Sequence, residues 1–352
     1  MNTDKKPIRG RGASDNPVNR FEGNYVDYDL DEETGEKPSP KTQLIRDASK
    51  SLITYNKSPD IGFNASINPY RGCEHGCIYC YARPYHEYLG FSSGLDFESK
   101  IMVKYNAASI LRKELRAEKW EPQVIAMSGV TDIYQPIEKK LGITRECLSV
   151  LAEFRNPVGL ITKNHLVTRD VDLLAELSEY NCISVTISVT SLDKDLTGVM
   201  EPRTSRPNRR LEAIRKLSDA GIRVGVNIAP IIPGITDHEM VSILEHAKEA
   251  GADFAGYTII RLPHKVKDIF VEWLEQHYPD RKNKVLNKVL DIRGGKLNNS
   301  KWGERMKGQG SYAAQIRDLF QVHTNRLELN KRNLQLSTDH FIKDTGEQLR
   351  LF

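Results

Sequence analysis

From Asn64 to about Leu262, short β-branched runs alternate with segments whose apolar residues recur three and four apart, and this alternation constrains the fold more than any other feature of the chain. Val124–Met127, Val158–Thr162, Ile183–Val189, Arg223–Ile228 and Phe254–Ile260 read as strands, with a shorter one, Ser66–Tyr70, ahead of them. Between them Leu148, Leu151 and Ala152, then Leu173, Leu174 and Leu177, then Leu211, Ile214 and Leu217 mark helices with one apolar face. Repetition of strand and helix builds parallel βαβ units. Six strands are too few to close an eight-stranded barrel. The pattern therefore predicts an α/β fold, a partial and open (βα)6 TIM-like barrel, with its chemistry on loops at the C-terminal ends of the strands. Thr236 with Glu239 predicts a capping box, and Gly221 and Gly251 stand where helix C-caps are expected.

The flanks read differently. Residues 1–50 mix Gly, Pro, Asn, Asp and Lys with few apolar positions, which predicts an irregular N-terminal tail, either solvated or folded over the active site or a partner. Residues 51–262 are read as the core domain and 263–352 as a basic, mostly helical C-terminal extension, with helix patterns at Val266–Tyr278 and Ala313–Leu329. The net charge of +4 is too small to mark the whole molecule as a nucleic-acid binder, but its distribution is uneven. Glu22–Glu36 is acidic, whereas Arg281–Lys307 holds nine Lys or Arg residues against Asp291 and Glu304. Within it, Arg293-Gly-Gly-Lys296 and Lys301-Trp302-Gly-Glu-Arg305-Met-Lys307 combine cations with glycines and a tryptophan. Such a segment can track a phosphate backbone while the ring stacks on a base; the plainer alternative is a solvated face. The N-terminal MNTDKKPIRGRGASDNP carries no apolar run behind its basic residues, so no membrane association and a cytoplasmic location are expected.

Three of the five cysteines fall in Arg71-Gly-Cys73-Glu-His-Gly-Cys77-Ile-Tyr-Cys80-Tyr-Ala-Arg83. A Cys-x3-Cys-x2-Cys spacing puts three soft thiolates on one loop that can wrap a single iron-sulfur cluster. A cubane has four irons, so three ligands leave one iron open to bind a substrate. Zinc would want a fourth tetrahedral ligand, for which His75 lies within the short loop and is hard to place without strain, and His86 is the other option. Gly72 and Gly76 would let the loop turn sharply. Cys147, in a helical first turn, and Cys182, just before a strand, read as small buried residues.

The spacing, with an aromatic residue (Tyr79) just before the third cysteine, resembles the radical S-adenosylmethionine (SAM) superfamily, and the fold expected is then the partial barrel of that type. The resemblance implies a 4Fe-4S cluster on Cys73, Cys77 and Cys80. SAM would chelate the open iron and be cleaved reductively to methionine and a 5'-deoxyadenosyl radical that abstracts hydrogen from the substrate. A flavodoxin- or ferredoxin-like electron donor is implied in the same way. The likeness covers roughly Asn64 to Leu262 and is similar to the branch related to spore photoproduct lyase, through Thr131-Asp132-Ile-Tyr-Gln135-Pro136-Ile-Glu138, Ile161-Thr162-Lys163, Glu201-Pro202-Arg203 and Ala229-Pro230-Ile-Ile-Pro233-Gly234.

Several site residues follow from that resemblance. Where many members carry Gly-Gly-Glu for the SAM amino group, this chain has Met127-Ser128-Gly129-Val130, so backbone carbonyls would have to serve. Lys163 matches a lysine positioned for the SAM carboxylate, as opposed to a solvated strand-end lysine. Ser188, with Thr190 as competitor, would meet the ribose. Glu201 and Arg203 would pair with each other or contact SAM, and Pro230, Pro233 and Gly234 would shape the turn around the adenine. Tyr79 and Tyr81 flank the third cysteine and are both candidates to relay a radical; Tyr79, also a cofactor-binding candidate, is expected to pack against the cluster loop, which leaves Tyr81 as the catalytic candidate. The lyase branch also implies a hydrogen-donating cysteine after the second strand. Alignment on Thr131-Asp132 puts Gly129 there, with no thiol from Lys119 to Glu146. Three readings stay open: a radical SAM enzyme, a DNA photoproduct lyase proper, or a non-catalytic iron-sulfur or zinc module.

Overall fold

Runs of β-branched and aliphatic residues pair where the sequence places them, because each buries both faces once helices cover the sheet. The computed structural model describes residues 6–22, 39–332 and 335–343. Its strands are β1 (Gln43–Arg46), β2 (Ile53–Tyr55), β3 (Ala65–Ile67), β4 (Tyr70–Arg71), β5 (Lys100–Val103), β6 (Ile125–Met127), β7 (Val158–Thr162), β8 (Ile183–Ser188), β9 (Val224–Ile231) and β10 (Phe254–Ile259). One sheet runs β2-β3-β6-β7-β8-β9-β10, and a small one runs β1-β5-β4. In the large sheet β3, β6, β7, β8, β9 and β10 are parallel in chain order, and β2 caps one edge antiparallel. This is the open six-unit barrel that the alternation predicts.

Helices connect the strands. Ile143–Phe154 buries Ile143, Cys147, Leu148, Leu151 and Phe154 along one face, and Pro207–Asp219 buries Ala213, Ile214 and Leu217. Gly221 and Gly251 adopt φ of +71° and +95° after their helices, the left-handed caps expected of glycine there. The capping box at Thr236 does not form. The Thr236 hydroxyl instead accepts from Ile232 N–H (2.8 Å), and the Glu239 carboxylate reaches across to Ser191 Oγ and Leu192 N–H, both at 2.6 Å. Two donors on a neighbouring loop outcompete the single local one.

Residues 6–22 are irregular, yet they are not a solvated tail. Ile8, Arg11, Ala13, Asn16 and Asn19 are buried. Gly12 and Ala13 N–H donate to the Glu98 carboxylate at 3.0 and 2.9 Å, Asn16 holds Asp96, and Asn19 donates to the carbonyls of Glu87 and Phe91. Scarcity of apolar residues hides this anchoring from the sequence, because buried polar partners do the work that core burial would otherwise do. Within the same fifty residues, β1 pairs in parallel with β5. The acidic stretch Glu22–Glu36 lies, apart from Glu22, outside the described residues.

Beyond Leu262 come the helices Val266–His277, Pro279–Ile292 and Gly310–Arg326. The first half of the basic stretch is thus helical, burying Val285, Val289 and Ile292. Many of its cations are spent internally: Lys282 pairs with Glu275, Lys288 with Asp237, Lys301 with Glu304 and Arg305 with Asp60. The Arg293 guanidinium, fully buried, donates to the carbonyls of Ile259, Ile260, Glu304 and Arg305, and Lys307 donates to Tyr257 O at 3.0 Å. No helix of the described residues is long and apolar enough to cross a membrane.

Candidate active site

The cysteine loop leaves β4 at the C-terminal end of the first barrel strand. Gly72 and Gly76 turn it, with φ of +80° and +68°; a side chain at Gly76 would also meet Glu98 Oε2 at 2.7 Å. Arg83, fully buried, gathers the loop from behind. Its guanidinium donates to Cys77 O (3.0 Å), Gly76 O (3.2 Å), Ser93 O, Gly94 O and the Glu98 carboxylate (2.5 Å). Glu98 is the same carboxylate that receives Gly12 and Ala13, so one buried ion pair ties the loop to the N-terminal segment. Removing one partner of such a pair strands the other's charge. Arg83→Met should therefore cost about 3–5 kcal/mol in urea denaturation and lower the iron retained after reconstitution. An unchanged midpoint and iron content would count against this role.

Cys73 and Cys77 are buried and Cys80 partly so, and all three are free thiols. Burial pushes the Cys77 thiol well up, with Glu201 adding to it, and raises Cys80 to about 11, with Cys73 next to it as the second cause. The Cys77 and Cys80 sulfurs therefore share one desolvated place beside the buried Cys73, where an iron cation would be needed to hold those two as thiolates. Among the described residues no three or more His, Cys, Asp or Glu side chains gather as a site for a single metal ion. A cubane takes one thiolate per iron, so its ligands stand apart by the width of the cluster. The donor set fits a 4Fe-4S cluster.

Around the sulfurs a ring of polar anchors fixes the loop. Thr131 Oγ1 and Gln135 Nε2 both donate to Gly72 O, at 2.6 and 3.3 Å. Glu74 accepts from Ile137 N–H and Thr42 Oγ1, both at 2.7 Å, and pairs with Arg203 at 3.2 Å. Asp132 accepts from Thr162 Oγ1 (2.7 Å), Lys163 N–H (2.8 Å) and Tyr134 N–H (2.9 Å), and faces His75 Nδ1 at 3.4 Å. His75 also meets Asn164 at 3.2 Å. It is a buried positioning group between two loops. Burial opposes a charge on its ring, but Asp132 and Cys73 prevail and carry its pKa up to about 10.

Lys163 is not a solvated lysine. Its ammonium donates to Ala229 O at 3.1 Å and lies 5.9 Å from the Tyr79 ring centroid. Burial lowers its pKa, opposed by the electrostatic pull of Cys77, so the cation lies within electrostatic reach of that sulfur. Tyr79 packs in the core, and its hydroxyl donates to Glu201 and lies 3.2 Å from Thr190 Oγ1. Of the two readings of Glu201 and Arg203, mutual pairing or contact with SAM, the pairing does not form. Glu201 is fully buried against Arg210 and accepts from Thr190 Oγ1 (2.7 Å), while Arg203 turns to Glu74. A buried carboxylate needs the fully buried Arg210, which also donates to Ser188 O and Ser205 O. Nothing in the sequence beyond a helical arginine signalled that partner.

Ser128 has φ of +90° just past β6, and its hydroxyl accepts from Ile133 N–H at 3.4 Å. Asn68 Oδ1 accepts from Gly129 N–H (2.9 Å) and Val130 N–H (3.2 Å). Tyr81, 45% exposed, donates its hydroxyl to Gly129 O at 2.8 Å and so spans from the cysteine loop to the end of β6. Ser188 is buried at the end of β8. Cys147 and Cys182 are fully buried, Cys147 on its helix and Cys182 against the carbonyls of Arg155, Tyr180 and Ser337.

Residues 67–247 match the radical SAM superfamily, more than half of the chain. The chain belongs to the radical SAM superfamily. Its relatives include an uncharacterised protein of Mycobacterium tuberculosis, 35% identical over 232 residues that cover 64% of this chain and 68% of that one. Another, from Methanocaldococcus jannaschii, is 31% identical over 249 residues, covering 71% and 89%. Among solved structures, spore photoproduct lyase complexed with dinucleoside spore photoproduct superposes with a TM-score of 0.58 at 18% identity, covering 81% of this chain and 79% of that one. A double mutant of that lyase with bound AdoMet and dinucleoside spore photoproduct gives 0.56 at 18% identity, covering 81% and 78%. This radical SAM protein thus shares the lyase fold, and its family implies a 4Fe-4S cluster and SAM as cofactors.

Proposed function

We propose that the protein binds a 4Fe-4S cluster through Cys73, Cys77 and Cys80 and cleaves SAM reductively to initiate hydrogen abstraction from its substrate. The observation that carries this is the gathering of three buried or half-buried thiols on one loop braced by Arg83 and Glu98, with Lys163 within electrostatic reach of Cys77. When bound and reduced, the cluster would supply the electron that splits the sulfonium of SAM into methionine and a 5'-deoxyadenosyl radical. The chain's own residues position and enclose. Lys163 would offer a cation for the SAM carboxylate, backbone carbonyls at Ser128 and Gly129 would receive the amino group, and Ser188 at the end of β8 would meet the ribose. Arg203, braced by Glu74, closes the loop beside His75. Tyr81, poised between Cys80 and Gly129, is the candidate relay. A low-potential donor of flavodoxin or ferredoxin type would supply the electron. Anaerobic reconstitution followed by dithionite and SAM tests the reading: 5'-deoxyadenosine is expected, and its absence under every substrate condition would favour a non-catalytic binding module.

Nucleic-acid contact through Arg281–Lys307 belongs to the same reading as its partner proposal. After the internal pairings, it would rest on Arg281, Lys284, Lys296 and the 60%-exposed Trp302. Three phosphate contacts predict a shallow salt dependence, a log-log slope of about −2 to −3. Undetectable or salt-independent binding to single- and double-stranded oligonucleotides in fluorescence titrations would remove it.

A further inference from the structure

The barrel does not close. Among the described residues β10 pairs with β9 and β3 pairs with β2 and β6, so the two ends of the parallel series are not hydrogen-bonded to each other. Side chains from both ends nevertheless meet at the top. Arg261, two residues past β10, lays its guanidinium 5.3 Å from the centroid of the Tyr81 ring, which follows Cys80 directly.

Three guanidinium groups gather behind this mouth, and two are satisfied. Arg293 is spent on backbone carbonyls, and Arg305 forms a forked ion pair with Asp60. Arg261 is different. Its Nε–H is buried with no hydrogen-bond partner, and its Nη1 has only the Met306 sulfur at 3.4 Å. No carboxylate of the described residues lies within ion-pair distance of it. A buried donor left unpaired is costly, and it calls for a partner that the described residues do not supply. Burial, reinforced by the nearby charge of Arg305, pulls its pKa down, which reflects how little of its charge is compensated.

We propose that Arg261, braced against Tyr81, holds an oxyanion of the substrate, a carboxylate or a phosphate, at the mouth of the barrel. This rests on the reading of the cysteine loop as the active site. A planar fork presents two parallel N–H groups to such an anion, which a lysine cannot do. The neighbouring Asp60 is already neutralised by Arg305 and therefore does not repel the anion.

The test uses reconstituted holoprotein saturated with SAM, so that the carboxylate of SAM cannot compete for the site. Phenyl phosphate and benzoate are titrated by calorimetry. Saturable binding of one is expected and tells phosphate from carboxylate. Arg261→Gln should weaken it about tenfold or more, with iron content equal to wild type as the control on folding. If that variant does not retain iron, Arg261→Lys is read instead, where loss of the fork should still weaken binding several-fold. Wild-type affinity in the variant read, or no saturable binding of either probe to the wild-type protein, overturns the proposal. Loss of SAM cleavage by the wild-type protein would strike the reading of the loop while leaving this binding result standing.

Discussion

Cys73→Ala, Cys77→Ala and Cys80→Ala should each reduce SAM cleavage to background, while Cys147→Ala and Cys182→Ala retain it. The first three remove one of only three thiols in the braced loop, and the open coordination position that SAM needs cannot be kept if a protein ligand is missing as well. The other two lie outside that loop: Cys147 is buried on the helix Ile143–Phe154 and Cys182 sits against backbone carbonyls including that of Ser337. Truncating them removes one buried sulfur each and should cost stability alone, about 1–2 kcal/mol. Iron content and 5'-deoxyadenosine, measured together after anaerobic reconstitution, separate the two classes. Normal values of both in any loop variant would overturn the ligand assignment. A loop variant should also melt below the iron-loaded wild type and level with the iron-free wild type, since cluster binding and local ordering are linked.

The parallel series was legible because hydrophobic period and strand order need no tertiary knowledge. Val158–Thr162 is bounded as its sequence suggests, and the other barrel strands differ by one to three residues at an end. The three cysteines were legible for a similar reason, as spacing within one loop is a local property. What stayed hidden was every link between elements distant in sequence. Arg83–Glu98–Gly12, Glu201–Arg210 and Asp132–His75 are buried polar contacts whose members look like ordinary surface residues when read alone. Charged residues are seldom fully buried unless paired, so the prior pointed the wrong way at each of them. Pairing of Glu201 with Arg203, one of the two readings of that segment, failed on the same account: sequence proximity suggested it, but the buried arginine nine residues on is the one that shares the carboxylate's desolvated site.

Repair of the spore photoproduct is not expected of this protein, although it has the lyase fold. The lyase branch resemblance requires a thiol after the second barrel strand to return a hydrogen atom to the product radical, which needs a weak S–H bond close to the substrate carbon. Gly129 stands at that place and has no side chain. Cys147 cannot substitute, being fully buried on the helix Ile143–Phe154. Tyr81 touches Gly129 O, but its hydroxyl hydrogen is given to that carbonyl at 2.8 Å and is not a thiol standing at the place of Gly129. Reconstituted protein incubated with the dinucleotide photoproduct should therefore form 5'-deoxyadenosine without clean conversion to two thymines. The site also allows the converse trial. A Cβ built on Gly129 meets nothing nearer than Asn68 Nδ2 at 3.7 Å, and its backbone is not in the left-handed region, so Gly129→Cys is accommodated without strain. If the missing thiol is what separates this chain from a repair enzyme, that variant should yield some thymine by mass spectrometry where the wild-type protein yields none. Catalytic turnover to thymine by the wild-type protein would show that Gly129 is no obstacle and that the hydrogen comes from elsewhere.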